Sequence, residues 1–247
     1  MNANAFFFRY RMVINAAVVI LGFWAPWIQL WGMGSRISLL EWLALELSRT
    51  GLVSFTVATH LVIVLGAIVA ATGAILRIWG SAWLGHGVVL NAQMQAASLT
   101  ADGPYRYVRN PLYLGLWCVI AALALLMPAS GALFATVVLS VFQLCLILGE
   151  EAFLAAQLGE PYRAYLRAVP CLLPRLRTTL KPSGNKPHWV QAVLSEITPI
   201  GVFLTIALLS WTYDNRLMMR AIVVTFGLSL VVRALMPGLQ QKSNPPE

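Results

Sequence analysis

The stretch that decides the fold is GLVSFTVATHLVIVLGAIVAATGAIL, which runs from Gly51 to Leu76 without one charged side chain. A helix needs about 20 mostly apolar residues to cross the hydrocarbon core of a bilayer, and this stretch is longer than that. The whole chain of 247 residues has the same character, since 59% are hydrophobic, 11% are charged and the mean hydropathy is +0.75. Soluble domains carry about 25% charged residues. The sequence therefore predicts an all-α, polytopic membrane protein.

Further apolar stretches predict the remaining spans. The first, Met12–Trp31, follows Arg9 and Arg11, and we expect it to stay in the chain rather than to be removed as a signal peptide. Two shorter stretches, joined by the break MPAS, predict a hairpin that only just crosses or dips in and returns, and two more predict a final pair of helices. These four stretches are Leu112–Met127, Gly131–Gly149, Trp189–Trp211 and Leu217–Met236. We expect about four long transmembrane helices plus a short helical hairpin.

The distribution of basic residues predicts the orientation and three regions of the chain. If the N-terminus is cytoplasmic, only Arg36, Arg49, Arg216 and Arg220 of the 17 Lys and Arg residues fall outside, as the positive-inside rule requires. Both termini are then cytoplasmic. Residues 1–76 hold the N-terminal transmembrane helices, 77–181 form a core with the hairpin and a cytoplasmic site, and 182–247 hold the C-terminal helix pair and tail.

Charge and cysteine content exclude two kinds of partner. The net charge of +8 does not indicate nucleic-acid binding, because the basic residues collect in loops beside apolar runs, as membrane orientation requires. The basic run Arg175–Lys186 is instead typical of contact with membrane lipid headgroups. The three cysteines lack metal-binding spacing and His60 has no partner histidine on its helix face. We expect no metal site.

Two polar segments lie at the two ends of the hairpin. TADGPYRYVRNPLYLGLW, residues 100–117, precedes its first arm, and Glu150–Glu151 follow its second arm. Because a hairpin brings its ends together, Asn110–Tyr113 and Glu150–Glu151 should be neighbours in space. Adjacent helical positions diverge by about 100°, so one glutamate can face a ligand while the other pairs with an arginine such as Arg106 or Arg109. A carboxylate at a membrane edge is a candidate functional group.

The loop before the hairpin has the residue types of a small-molecule site. Gly103-Pro104 predicts a tight turn that exposes backbone donors and acceptors, and Arg109 can clamp a carboxylate. Three tyrosines offer flat faces to an aromatic base or a cation. Pro111 fixes the first turn of the next helix, so Asn110 lies near its cap. A ligand with a carboxylate, a cation and an aromatic ring fits this loop, and S-adenosylmethionine has all three.

The ordered set of these motifs resembles a known family. GPYRYVRNPLYLG at 103–115, an apolar hairpin and then GEEAFLAAQLGEPYRAYLRAVPCLLP at 149–174 resemble the isoprenylcysteine carboxyl methyltransferase and phospholipid methyltransferase superfamily. LRIWGSAWLG at 76–85 is similar as well. The resemblance covers about residues 75–176. It implies an integral-membrane methyltransferase that uses S-adenosylmethionine as its cofactor.

The resemblance also implies roles for individual residues. The cofactor-binding set is Leu99, Thr100, Gly103, Pro104, Tyr105, Arg109, Asn110, Pro111, Tyr113, Glu150 and Glu151. Within it, Arg109, Glu150 and Glu151 are the expected catalytic residues. The expected substrate-binding residues are Tyr162, Arg163, Tyr165 and Arg167. Asn110 replaces the family's usual histidine; it can still orient a ligand, but an amide cannot relay a proton near neutral pH.

Several functions remain open from the sequence. We expect methyl transfer to a lipophilic or amphiphilic acceptor, in the manner of the isoprenylcysteine carboxyl methyltransferases. A phospholipid-type N-methyltransferase, a small membrane transporter with glutamates along its path and a catalytically inactive relative are the alternatives. The acceptor and the oligomeric state are not determined. We expect the C-terminal pair to be scaffold, the wall of a lipid groove or a dimer contact, and Glu196 and Arg233 are candidates to pair with each other.

Overall fold

The computed structural model describes residues 3–24, 37–84, 101–178, 180 and 186–243, and these residues are almost entirely helical. Besides a 3-10 turn at Gly103–Arg106, the helices are α1 Ala3–Trp24, α2 Leu39–Arg49, α3 Phe55–Leu84, α4 Pro111–Ala124, α5 Ala129–Leu158, α6 Glu160–Ala168, α7 Trp189–Ser195, α8 Ile197–Thr212 and α9 Asn215–Ser243. Within the described ranges the only β-type pairing is an isolated bridge between Ser38 and Pro128. The predicted all-α class is confirmed.

Three helical segments of the described ranges are long and apolar enough to cross a membrane: Phe6–Trp24, Phe55–Leu84 and Ala129–Leu158. The short helices α7 and α8 meet at a bend of 67° and add a fourth span if they are counted together. The end of the predicted first span, 25–31, lies outside the described residues. The helix α9 covers the predicted last span, Leu217–Met236, but it is not among the described helices that are long and apolar enough to cross a membrane.

The hairpin differs from its prediction in the length of its second arm. The first arm, α4, has 14 residues, but α5 has 30 and continues past the predicted end at Gly149 to Leu158. Glu150 and Glu151 therefore lie inside a helix rather than at its foot. The helix ends at Gly159, whose φ of +65° interrupts the helical backbone.

The helix α2 is not among the elements predicted from the sequence. Its start is closed by a capping box, in which the Ser38 hydroxyl accepts from the Glu41 amide at 3.2 Å and the Glu41 carboxylate accepts from the Ser38 amide at 2.9 Å. This arrangement satisfies two amide donors that helix formation leaves free. The helix packs beside α3 and the turn of the hairpin, where the amides of Leu39 and Leu40 donate to backbone carbonyls of Met127 and Leu125.

Close glycine contacts bring α4 against α3. A Cβ at Gly73 would lie 2.7 Å from the Gly115 carbonyl oxygen, and one at Gly115 would lie 2.6 Å from Cγ of Arg77. Small residues of this kind let two helix backbones touch within a membrane. Since Arg77 lies one turn beyond Gly73 on the same face of α3, the contact also places its guanidinium beside the start of α4.

A buried ion pair attaches the C-terminal helices to this core. Glu196 lies at the bend between α7 and α8 with 1% of its surface exposed, and it accepts from Nε of Arg77 at 2.6 Å and from the Ser81 hydroxyl at 2.5 Å. The predicted partner of Glu196 was Arg233, whose side chain lies outside the described part of the structure. The partner that the structure shows is Arg77, because α3 supplies its cation at the level of the bend.

Candidate active site

The two ends of the hairpin meet, as predicted. The Asn110 side-chain amide donates to Oε1 of Glu151 at 3.1 Å, and the Tyr113 hydroxyl donates to Oε2 of Glu150 at 3.2 Å. The Nε atom of Arg109 lies 3.2 Å from the same Glu151 oxygen. The neighbourhood of Asn110–Tyr113 and Glu150–Glu151 is therefore confirmed. Residues about 40 positions apart in the chain form one polar cluster.

The two glutamates have different partners because they point in different directions from α5. Glu151 faces Arg109 and Asn110, while Glu150 faces Tyr113 of α4. This is the division expected for adjacent helical positions, which diverge by about 100°. Of the two arginines considered from the sequence, Arg109 makes the ion pair. The Nε atom of Arg106 donates to the Leu180 carbonyl at 3.0 Å.

The N-terminal helix contributes a cation that the sequence did not assign to the site. Arg11 of α1 interacts electrostatically with both Glu150 and Tyr113. Its guanidinium stacks 4.0 Å from the ring of Phe8, which fixes the direction of the side chain. In the sequence Arg11 appeared only as a charge before the first span, because nothing local indicates that α1 packs against α5.

The turn before the hairpin is held in a conformation that requires glycine. Gly103 has a φ of +54°, and a Cβ there would collide with the indole of Trp83. The segment after the turn is fastened to the region beyond α5. The amide of Arg109 donates to the Pro170 carbonyl at 2.9 Å, and the Tyr165 hydroxyl donates to the Tyr105 carbonyl at 2.8 Å.

Three buried donors around this turn have no hydrogen-bond partner among the described residues: the Trp83 indole nitrogen, the Tyr105 hydroxyl and Nε of Arg109. The Nε atom of Arg109 is close to Glu151, but its hydrogen does not point at that oxygen, so the contact is one of charge only. Burial raises the pKa of the Tyr105 hydroxyl well above its usual value, so it remains a donor. Because buried polar groups are normally paired, these three donors can serve a ligand.

The predicted substrate-binding residues divide into two groups. Tyr162 and Tyr165 are buried beside Val169, in a small core that supports the turn. Arg163 and Arg167 are exposed on α6 and contact Glu160 at 3.9 and 2.5 Å. The structure therefore does not bring these two arginines to the glutamate cluster. Of the predicted cofactor-binding residues, Leu99 and Thr100 lie outside the described residues.

Fold and site together define a helical integral membrane protein with a polar cluster at the open end of a hairpin. Residues 61–161 match the sequence model of the phospholipid methyltransferase family, a range that includes the turn, the hairpin and both glutamates. The match confirms the resemblance found in the motifs. In the described residues no group of three or more His, Cys, Asp or Glu side chains could hold a metal.

One curated relative agrees with this family. Over 70 residues the chain is 40% identical to a protein named methanethiol S-methyltransferase from Crocosphaera subtropica. The alignment covers 28% of this chain and 27% of that relative, so the chain matches about a quarter of the relative's length. No solved structure matches the chain. Both matches are consistent with the membrane methyltransferase superfamily.

Proposed function

We propose that this protein is an integral-membrane methyltransferase that uses S-adenosylmethionine and acts on a lipophilic or amphiphilic acceptor. The observation that supports this most is the cluster at the open end of the hairpin, where Glu150 and Glu151 meet Arg109, Asn110 and Tyr113. In this cluster, side chains that suit a zwitterionic, aromatic cofactor lie within hydrogen-bond distance of one another. The cluster is part of a helical membrane protein.

The residues of the cluster fit the chemical groups of the cofactor. The Trp83 indole, the Tyr105 hydroxyl and Nε of Arg109 are buried donors that have no partner in the described part of the chain, and a carboxylate, ribose and purine offer acceptors. Glu150 and Glu151 supply negative charge for the ammonium and the sulfonium. Leu99, Thr100, the Gly103-Pro104 turn and Pro111 complete the proposed cofactor-binding set. When bound, the cofactor supplies an electrophilic methyl group on its sulfonium.

The protein's own contribution is positioning and proton transfer. Holding the acceptor and the methyl group about 3–3.5 Å apart in line gives much of the rate in a displacement of this kind. An acceptor that carries an X–H group must also lose its proton as the new bond to carbon forms. We assign that proton to Glu150, because the Tyr113 hydroxyl fixes one of its oxygens at 3.2 Å.

The acceptor reaches this site from the bilayer. The outer face of α5 beside the glutamates is apolar and exposed, with Leu144 at 42% and Leu148 at 66%. The name of the Crocosphaera relative is a reason to test a thiol as the acceptor, and the name of the matching family is a reason to test phospholipids. The bias of basic residues supports a cytoplasmic position for the cluster and for both termini.

Calorimetric titration of the purified, detergent-solubilised protein with S-adenosylmethionine tests the proposal directly. We expect saturable binding by the wild type and strongly weakened binding by Glu151→Gln. Glu160→Gln is the matched control, because Glu160 is an exposed carboxylate on the next helix, and it should bind as the wild type does. Incubating membranes with radiolabelled cofactor then identifies the labelled product. Absence of binding by the wild type would overturn the proposal.

A further inference from the structure

The loop that follows α6, residues 170–177, exposes leucine and arginine side chains side by side. Its last five residues, LPRLR at 173–177, are all exposed, with Leu173 at 82% and Leu176 at 97%. A mixture of exposed apolar and basic side chains is typical of segments that lie in a membrane interface, where the apolar groups reach the acyl chains and the cations reach the headgroups.

The arginines of this loop carry positive charge that the described chain does not neutralise. No acidic side chain in the described ranges forms an ion pair with Arg175 or Arg177, whereas Arg167 of α6 pairs with Glu160. The Arg175 guanidinium donates to the Ala168 carbonyl at 3.0 Å and stays exposed. An anionic surface is the electrostatic complement of two such cations.

The backbone contacts of the loop place it at the boundary of the membrane. The amide of Arg175 donates to the Tyr107 carbonyl at 3.0 Å, and the Pro170 carbonyl accepts from the Arg109 amide at 2.9 Å. Two residues after Arg109 the chain enters α4, a helix with an apolar sequence. The loop therefore lies at the level where the chain passes into the apolar layer, and phospholipid headgroups flank that layer.

The same loop is in contact with the glutamate cluster. The Asn110 side-chain amide donates to Oε1 of Glu151 at 3.1 Å and to the Cys171 carbonyl at 3.4 Å. The Cys171 thiol lies 3.8 Å from that same Glu151 oxygen. An exposed loop loses conformational freedom when it binds a surface, and a ligand that needs the loop ordered then binds more tightly. Binding of the loop to lipid is thus linked to the order of the cluster.

We propose that the 170–177 loop binds the anionic headgroup layer of the bilayer, and that this contact increases the affinity of the glutamate cluster for S-adenosylmethionine. Leu173 and Leu176 then point toward the acyl chains, and Arg175 and Arg177 lie beside the anionic headgroups. The effect on the cofactor rests on the proposed methyltransferase function, whereas the contact with lipid does not.

Hydrogen–deuterium exchange of the protein in lipid nanodiscs tests the contact. We expect the amides of the loop to exchange about fivefold more slowly in discs that contain phosphatidylglycerol than in discs of phosphatidylcholine alone, because each arginine near an anionic surface contributes about that factor. High salt should remove the difference. Leu176→Ser/Arg177→Gln should lose it. Leu52→Ser/Arg49→Gln is the matched control before α3, where both residues are also exposed, and it should keep the difference.

Titration with S-adenosylmethionine in the same discs tests the effect on the cofactor. For the wild type and the control variant we expect about fivefold tighter binding in the anionic discs. For Leu176→Ser/Arg177→Gln we expect equal binding in both kinds of disc. The two substituted side chains are exposed, so the melting temperature of this variant should equal that of the wild type.

The wild type alone decides the main outcomes, so the test does not depend on the folding of a variant. Equal exchange of its loop in both kinds of disc would overturn the lipid contact. Slower exchange in anionic discs with unchanged cofactor affinity would overturn the effect on the cluster. If the wild type binds no cofactor in either disc, the proposed function and that effect fail together, and the exchange measurement still decides the lipid contact.

Discussion

Two arginine–glutamate pairs in this protein differ in how completely they are satisfied. Arg77 donates to both oxygens of Glu196, at 2.6 and 3.1 Å, and its remaining terminal nitrogen donates to the Leu112 carbonyl at 3.1 Å. Arg109 approaches Glu151 through one nitrogen at 3.2 Å without forming a hydrogen bond, and both side chains are 15% exposed.

This difference distinguishes an ion pair that stabilises the fold from an ion pair that is available to a ligand. A charge that is taken out of water needs its hydrogen bonds completed by the protein, and Glu196 has them completed by Arg77 and Ser81. In the pair of Arg109 and Glu151, Nε of Arg109 is buried and has no hydrogen-bond partner among the described residues. An incomplete ion pair is therefore a better indication of a ligand site here than a complete one.

The largest expected effect comes from breaking the complete pair. Glu196→Ala leaves the partly buried Arg77 without its counter-charge, so we expect a loss of about 3 kcal/mol in the free energy of unfolding, the lower end of the range for a broken buried pair. Thermal unfolding in detergent measures it. Arg49→Ala, which removes an exposed pair with Glu46, is the control and should cost less than about 1 kcal/mol. Equal effects of the two variants would contradict the distinction drawn between the pairs.

Breaking the incomplete pair should affect ligand binding more than stability. We expect Arg109→Ala and Glu151→Gln each to weaken S-adenosylmethionine binding by about tenfold or more, because a hydrogen bond to a charged group contributes about 1.5–3 kcal/mol. Titration calorimetry measures the affinity, and melting temperature is recorded in parallel. Cofactor affinity equal to that of the wild type in both variants would remove these residues from the site.

A smaller effect is expected at the position where this chain departs from the family that it resembles. Asn110→His keeps a donor that can reach Glu151, which Asn110 contacts at 3.1 Å, so cofactor affinity should change by less than about threefold. Asn110→Ala is the matched comparison, and it should bind more weakly because it has no donor. If histidine abolishes binding, the cluster is shaped differently from that of the family.

The smallest effect is expected at the exposed arginine of α6. Arg167 hydrogen-bonds to Glu160 and lowers the pKa of that carboxyl, so any stabilisation is present near neutral pH and is lost as the pH falls through the lowered pKa. Because both side chains are exposed, we expect Arg167→Ala to leave the melting temperature unchanged at pH 7 and at pH 3. Measuring the KM of Arg167→Ala for the acceptor, with the labelled product as the readout, tests the predicted substrate-binding role of Arg167. A clear rise in that KM would support the role.

Composition and topology were enough to predict much of this structure. Uncharged runs such as Gly51–Leu76 locate spans because the bilayer imposes their length. The meeting of Asn110 with Glu151 follows from hairpin geometry alone. The sequence predicts too short an α5, because two adjacent glutamates normally indicate the end of a membrane span. With Arg109 and Tyr113 available to satisfy them, the helix continues beyond both carboxylates.

The long-range contacts of charged side chains that escaped prediction depend on helices packing across the chain. Glu196 and Arg77 are separated by 119 positions, and no local pattern indicates that they meet. Arg11 is a similar case, because its interaction with Glu150 depends on α1 lying against α5.

The contact between Gly73 and Gly115 has a consequence for the alignment of the reacting groups. With no side chain on either glycine, the two backbones lie in direct contact, and a Cβ at either position would push α4 away from α3. Tyr113 lies on α4 and Asn110 directly precedes it. The close packing at two glycines, which have no reactive group of their own, therefore helps to set the positions of these two polar side chains.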